Sequence, residues 1–133
     1  MAHVLLAEDD EGIRDFVCLA LEGDNHEVVA TRNGEEALEI LKGGADGFDI
    51  LIADIQMPGM DGIELAKMAA VENAEMSILL ISGVINQLQR AENIEGLVQG
   101  ILHKPFTLEQ IRNEVIDIVG QPDPTEVEME EAS

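Results

Sequence analysis

Residues 49–62 read Asp-Ile-Leu-Ile-Ala-Asp-Ile-Gln-Met-Pro-Gly-Met-Asp-Gly. Within them, 50–53 is a short apolar run without polar alternation, the pattern of a strand buried on both faces of a parallel sheet. The run stops at Asp54, Pro58 and Gly59 make a turn, and Gly62 opens a new periodic segment. A carboxylate thus stands where a buried strand meets a loop. In open α/β sheets, ligands bind outside the carboxyl ends of the strands. Asp54 could equally cap the loop by accepting from nearby backbone N–H groups. The choice depends on whether other strands bring complementary chemistry to the same edge.

Working outward, 4–7 is an apolar run too short for a helix, read as a strand that ends in the acidic cluster Glu8-Asp9-Asp10-Glu11. Ile13, Phe16, Val17, Ala20 and Leu21 recur at helical spacing, and Gly23 is a natural stop. Residues 26–30 read as a second strand. Asn33 and Glu36 form a capping-box-like pair before a helix whose apolar face is Ala37, Leu38 and Leu41. The third strand is expected over 48–53, followed by a helix capped by Asp61 and Glu64. The fourth covers 77–81 and ends at Ser82-Gly83. A weak polar helix is expected over 87–93. A fifth strand over 98–102 ends at His103-Lys104-Pro105. Thr107 and Gln110 form the clearest capping box, opening a helix lined by Leu108, Ile111, Val115, Ile118 and Val119 and ended by Gly120 and Pro122.

Five strand–helix units require a parallel sheet with helices on both faces. The expected fold is a flavodoxin-like α/β sandwich with strand order 2-1-3-4-5 and its switch point between strands 1 and 3. One domain is expected over 1–120. Residues 121–133 are acidic, contain no base and are interrupted by prolines, so a disordered tail is expected there.

Composition narrows the function. Seven Lys and Arg against 28 Asp and Glu give a formal net charge of −21, which argues against nucleic acid as a partner and favours a cation or a basic protein surface. Only 2% of residues are aromatic, with no Trp or Tyr, so the core must be aliphatic. The single cysteine, Cys18, permits no internal disulfide. No basic leader is present and no apolar run approaches the ~20 residues of a membrane span, so no membrane association and a cytoplasmic location are expected.

The predicted topology gathers Glu8, Asp9, Asp54, Ser82 and Lys104 at one sheet edge. Clustered carboxylates repel unless a cation or proton intervenes. Oxygen ligands without His or Cys suit a hard cation, most simply Mg²⁺. His3, His26 and His103 have no mutual ligand spacing, which disfavours zinc. Lys104 and Ser82 can hold the oxygens of a transferred phosphoryl group, and Asp54 would be the nucleophile that forms an acyl phosphate. The plainer reading is an acidic rim paired with one lysine. Five such residues at four strand ends argue against it.

These motifs, Leu5-Leu6-Ala7-Glu8-Asp9-Asp10, Asp54-Ile55-Gln56-Met57-Pro58-Gly59-Met60-Asp61-Gly62, Ser82-Gly83 and Lys104-Pro105-Phe106, resemble the receiver domains of two-component response regulators from about residue 3 to 119. The resemblance implies that Asp54 is the phosphoacceptor, that Asp9 is the acidic Mg²⁺ ligand and that Glu8 is the other member of the acidic pair at that site. It implies that Gln56 gives a backbone carbonyl to the metal, Ser82 is the switch hydroxyl and Lys104 the phosphoryl-binding lysine. It further implies a cis Lys104–Pro105 peptide. The phosphoryl donor would be a phosphohistidine on a sensor kinase or a histidine phosphotransfer protein. The family often has an aromatic residue three positions before the lysine. Ile101 stands there, which puts the aromatic readout in question. With no output domain in view, the expectation is a stand-alone receiver that catalyses only its own phosphorylation and dephosphorylation and acts by binding a downstream effector protein. Alternatives are a shuttle to a phosphotransfer protein and a binding module that never takes phosphate. A phosphohydrolase is discounted, because Gln56 occupies the place of the second acid it needs.

Overall fold

The computed structural model describes residues 2–43, 47–83 and 96–120. The order of elements is β1 (His3–Ala7), α1 (Glu11–Glu22), β2 (Glu27–Thr31), α2 (Gly34–Lys42), β3 (Ile50–Asp54), α3 (Gly62–Glu72), β4 (Ser77–Ser82), β5 (Gly100–His103) and α4 (Leu108–Val119). The five strands form one parallel sheet in the order β2-β1-β3-β4-β5. This is the predicted fold and topology. The polar helix expected over 87–93 and the tail expected over 121–133 lie outside the described residues.

Alternation along the strands divides the interior in two. Leu5, Ala7, Leu51, Ala53, Ile78 and Leu80 pack on one face with Ala37, Leu38, Leu41, Leu65, Ala66 and Ala69 of α2 and α3. Val4, Leu6, Ile50, Ile52, Leu79 and Ile81 pack on the other with Val17, Leu21, Ile111 and Val115 of α1 and α4. Every residue of β3 is buried, as its unbroken apolar run requires. β2 forms an outer edge and exposes Glu27, Val29 and Ala30. Ile101 is partly buried against the α2 and α3 side of the core.

Strand ends differ from expectation by one or two residues, and the hydrogen bonds explain the shifts. His26 does not open β2, because its backbone N–H closes the turn after α1 on the carbonyl of Leu21 at 3.1 Å. β3 runs through Asp54 and β4 through Ser82, since Asp54 pairs with Ile81 and Ser82 with His103. The caps follow the sequence. Thr107 and Gln110 make a full capping box, and Asp61 accepts from the Glu64 N–H at 2.8 Å. The Asn33–Glu36 box is only half made. Asn33 accepts from the Glu36 N–H, but the Glu36 carboxylate turns outward to the N–H and guanidinium of Arg32. Among the described residues, no helix is long and apolar enough to cross a membrane.

Candidate functional site

The register sets the site. Ala7 lies opposite Ala53, so Glu8 emerges from β1 beside Asp54 at the end of β3. Ser82 ends β4, one strand further on, and Lys104 follows the last residue of β5. Glu8 and Asp54 are 0% and 2% exposed, whereas Asp9 faces solvent. One carboxylate oxygen from each of Glu8, Asp9 and Asp54 can be chosen so that all three lie within 4.8 Å of one another. Lys104 Nζ donates to Asp54 Oδ2 at 2.6 Å and lies 3.6 Å from Glu8 Oε1. The other Asp54 oxygen, Oδ1, accepts from the Gln56 backbone N–H at 3.1 Å. Glu8 Oε2 accepts from the Asp10 N–H at 3.1 Å, while its buried Oε1 has no hydrogen bond. A cleft of about 500 Å³ opens over Asp9, Asp54, Gln56, Pro58, Gly83 and Lys104.

Five of the six residues singled out in the sequence therefore meet: Glu8, Asp9 and Asp54 as a cluster, with Lys104 bonded to it and Gln56 on the cleft wall. Ser82 sits beside them at the end of β4 and is 1% exposed, and the next residue, Gly83, lines the cleft. Among the described residues, a Cβ at Gly83 would meet Lys104 Cδ at 3.6 Å. The Lys104–Pro105 peptide is cis.

Burial is the main force on the electrostatics. It pushes the Glu8 carboxyl up to about 8. The neighbouring Asp54 charge adds to the rise, while the Asp10 N–H and the Lys104 charge oppose it. Burial disfavours the charge on Lys104 as well, but its hydrogen bond to Asp54 and its attraction to Asp54 and Glu8 outweigh that and raise its pKa. A buried carboxylate oxygen without a hydrogen bond, beside two further carboxylates and no His or Cys ligand, fits a hard divalent cation.

Three supporting contacts escaped the sequence reading. Thr31 Oγ1 donates to the Leu6 carbonyl at 2.8 Å, and the Thr31 carbonyl accepts from the Glu8 N–H at 3.1 Å, tying β2 to the loop of acids. Gly62 lies so close to β3 that a Cβ there would stand 2.3 Å from the Asp54 carbonyl oxygen. A glycine in the first turn of a helix was the available signal, since glycine is a poor helix former. Arg14 donates from Nη1 to the Glu8 carbonyl at 2.9 Å. Its signal was a lone base in the first turn after four acids.

A profile of the response regulator receiver domain family matches residues 4–116. The chain is 36% identical over 115 residues to the response regulator receiver protein CpdR of Brucella abortus, covering 86% of this chain and 94% of that protein. It also matches longer transcriptional regulators, spanning 46% and 48% of two of them. Among solved structures, the chemotaxis protein CheY4 of Vibrio cholerae superposes with a TM-score of 0.77 at 29% identity, covering 89% of this chain and 98% of that one. The Thermotoga maritima response regulator TrrA, solved in complex with Mg(2+)-BeF, gives a TM-score of 0.77 at 25% identity, covering 89% and 99%.

Proposed function

This chain belongs to the response regulator receiver family, and from that premise we propose that Asp54 accepts a phosphoryl group from a phosphohistidine in a Mg²⁺-dependent reaction and that the acyl phosphate switches binding to a partner protein. The observation that carries this reading is Lys104 Nζ at 2.6 Å from Asp54 Oδ2, within a group of three carboxylates. The ammonium holds the nucleophile in place and is positioned to take a phosphoryl oxygen as that group arrives.

In the reaction, an Asp54 carboxylate oxygen forms the new bond to phosphorus. The nitrogen–phosphorus bond breaks, and its electron pair leaves with the imidazole, which takes up a proton. Lys104 and the Ser82 hydroxyl bind oxygens of the transferred group. Glu8, Asp9, Asp54 and the Gln56 carbonyl would hold Mg²⁺, which neutralises charge on the phosphoryl oxygens when bound. Burial of Asp54 and Glu8 strengthens each of these interactions, because few waters compete. Donors of this kind are sensor histidine kinases and histidine phosphotransfer proteins. The similarity to CpdR over 94% of that protein supports reading the receiver itself as the part that meets a downstream effector.

Intact mass measured after incubation with a small phosphoryl donor and Mg²⁺ tests the proposal. One phosphoryl group is expected on wild type and none on Asp54→Asn. If neither gains mass, and a cognate kinase also fails, the reading is overturned in favour of a binding module that works without phosphate.

A further inference from the structure

Arg14 is the fourth residue of α1, and its side chain turns back toward the site instead of outward. Nη1 donates to the Glu8 carbonyl at 2.9 Å, and the Arg14 backbone N–H donates to the Asp10 carbonyl at 2.9 Å. The Glu8 carbonyl belongs to the peptide that joins Glu8 to Asp9, so the guanidinium grips the peptide from which both carboxylates hang. Glu8 has further anchors: its N–H bonds the Thr31 carbonyl, and its carboxylate takes the Asp10 N–H. Asp10 is held through its side chain, which accepts from the Ile13 N–H at 3.0 Å. Asp9 is exposed, and among the described residues no hydrogen bond is made to its side chain. The backbone therefore sets the direction from which its carboxylate reaches out, and Arg14 bonds that backbone.

We propose that Arg14 is a positioning residue for the cation: by holding the Glu8–Asp9 peptide it sets the Asp9 carboxylate toward Glu8 and Asp54. The proposal rests on the Mg²⁺-dependent reading above. Charge and geometry predict opposite signs here. As a point charge, a guanidinium near the site repels Mg²⁺, so removing it should tighten binding. As a latch it organises a ligand, and its removal should weaken binding, as for other groups that orient metal ligands.

The experiment is calorimetric titration of the full chain with MgCl₂ at neutral pH, comparing wild type, Arg14→Met and Arg14→Lys. Methionine keeps an apolar stem in a half-exposed position, so the fold should persist. The expected result is a Kd for Arg14→Met raised roughly tenfold. Arg14→Lys, which retains a donor on a long stem, should regain much of that loss. Amide shifts of Asp9 and Asp10 in the cation-free protein should move in Arg14→Met. Wild-type binding with Arg14→Met equal or tighter overturns the inference and leaves the functional reading standing. Absence of saturable Mg²⁺ binding by wild type overturns both.

Discussion

Replacing Glu8 with Gln should stabilise the cation-free protein, and the gain should depend on pH. The Glu8 carboxyl has a pKa of about 8 when folded against an ordinary 4.5, chiefly because it is buried. An acid whose folded pKa is raised binds its proton more tightly in the native state. Stability is therefore fully present below pH 4.5 and is lost as pH rises toward 8. Each pKa unit corresponds to about 1.4 kcal/mol, so by pH 8 ionisation of Glu8 costs the fold on the order of 4 kcal/mol. Glutamine keeps the shape, can accept the Asp10 N–H that Glu8 Oε2 now takes, and carries no charge. The assay is urea denaturation in a chelator, followed by far-ultraviolet circular dichroism because the chain has no Trp or Tyr. With a slope of about 2 kcal/mol/M, the midpoint of Glu8→Gln should exceed wild type by about 2 M at pH 8. At pH 5 the two should nearly coincide. A gap of equal size at both pH values, or a variant less stable at pH 8, would refute the reasoning, since Glu8 would then be ionised and already compensated without a cation.

Gly62→Ala should cost about 3 kcal/mol or more and lower the thermal midpoint by at least ~10 °C, because the new Cβ would lie 2.3 Å from a backbone oxygen that cannot yield like a flexible side chain. A midpoint within 3 °C of wild type would contradict that contact. Lys104→Met should leave the protein folded but slow phosphorylation of Asp54 by a small donor about 100-fold, the usual scale for a lost transition-state donor, which timed mass spectrometry would read. His26 is buried, its Nδ1 accepts the Ala2 N–H at 2.9 Å, and burial depresses its pKa. The fold therefore needs it neutral, and stability should fall as pH drops below about 6.5. His26→Gln should flatten that dependence in melts between pH 5 and 7, and an unchanged slope would assign the effect to another group.

The sheet and most of the site were legible because both depend on local patterns that topology then brings together. An apolar run ending in Asp54, another ending in Glu8 and a third ending before Lys104 need only a parallel sheet to meet. The unequal burial of Glu8 and Asp9 was not legible. Two adjacent acids look alike in sequence, yet Glu8 continues the β1 ladder through its bond to Thr31 and is carried inward, while Asp9 leaves the ladder and faces the cleft. The Gly62 contact and the Arg14 latch were hidden for a similar reason. Each acts on a backbone carbonyl, so the residue type hints that something is held there without showing what. β2 opens at Glu27 and not at His26 because the His26 N–H belongs to the preceding turn, a backbone bond that residue type does not record.

The alternation of β1, β3 and β4 between two cores bears on how this chain can change over generations. Leu51 and Ile52 are neighbours in sequence, but one packs with α2 and α3 and the other with α1 and α4. Substitutions on opposite faces lie in separate cores and should add in their effects, whereas changes at Leu51 and Leu65, which share one core, are expected to couple. The sheet thus works as a partition between two separately adjustable inventories of side chains. A lineage can refit one outer surface to a new partner while the other, and the strand ends that hold Glu8 and Asp54, keep their former packing.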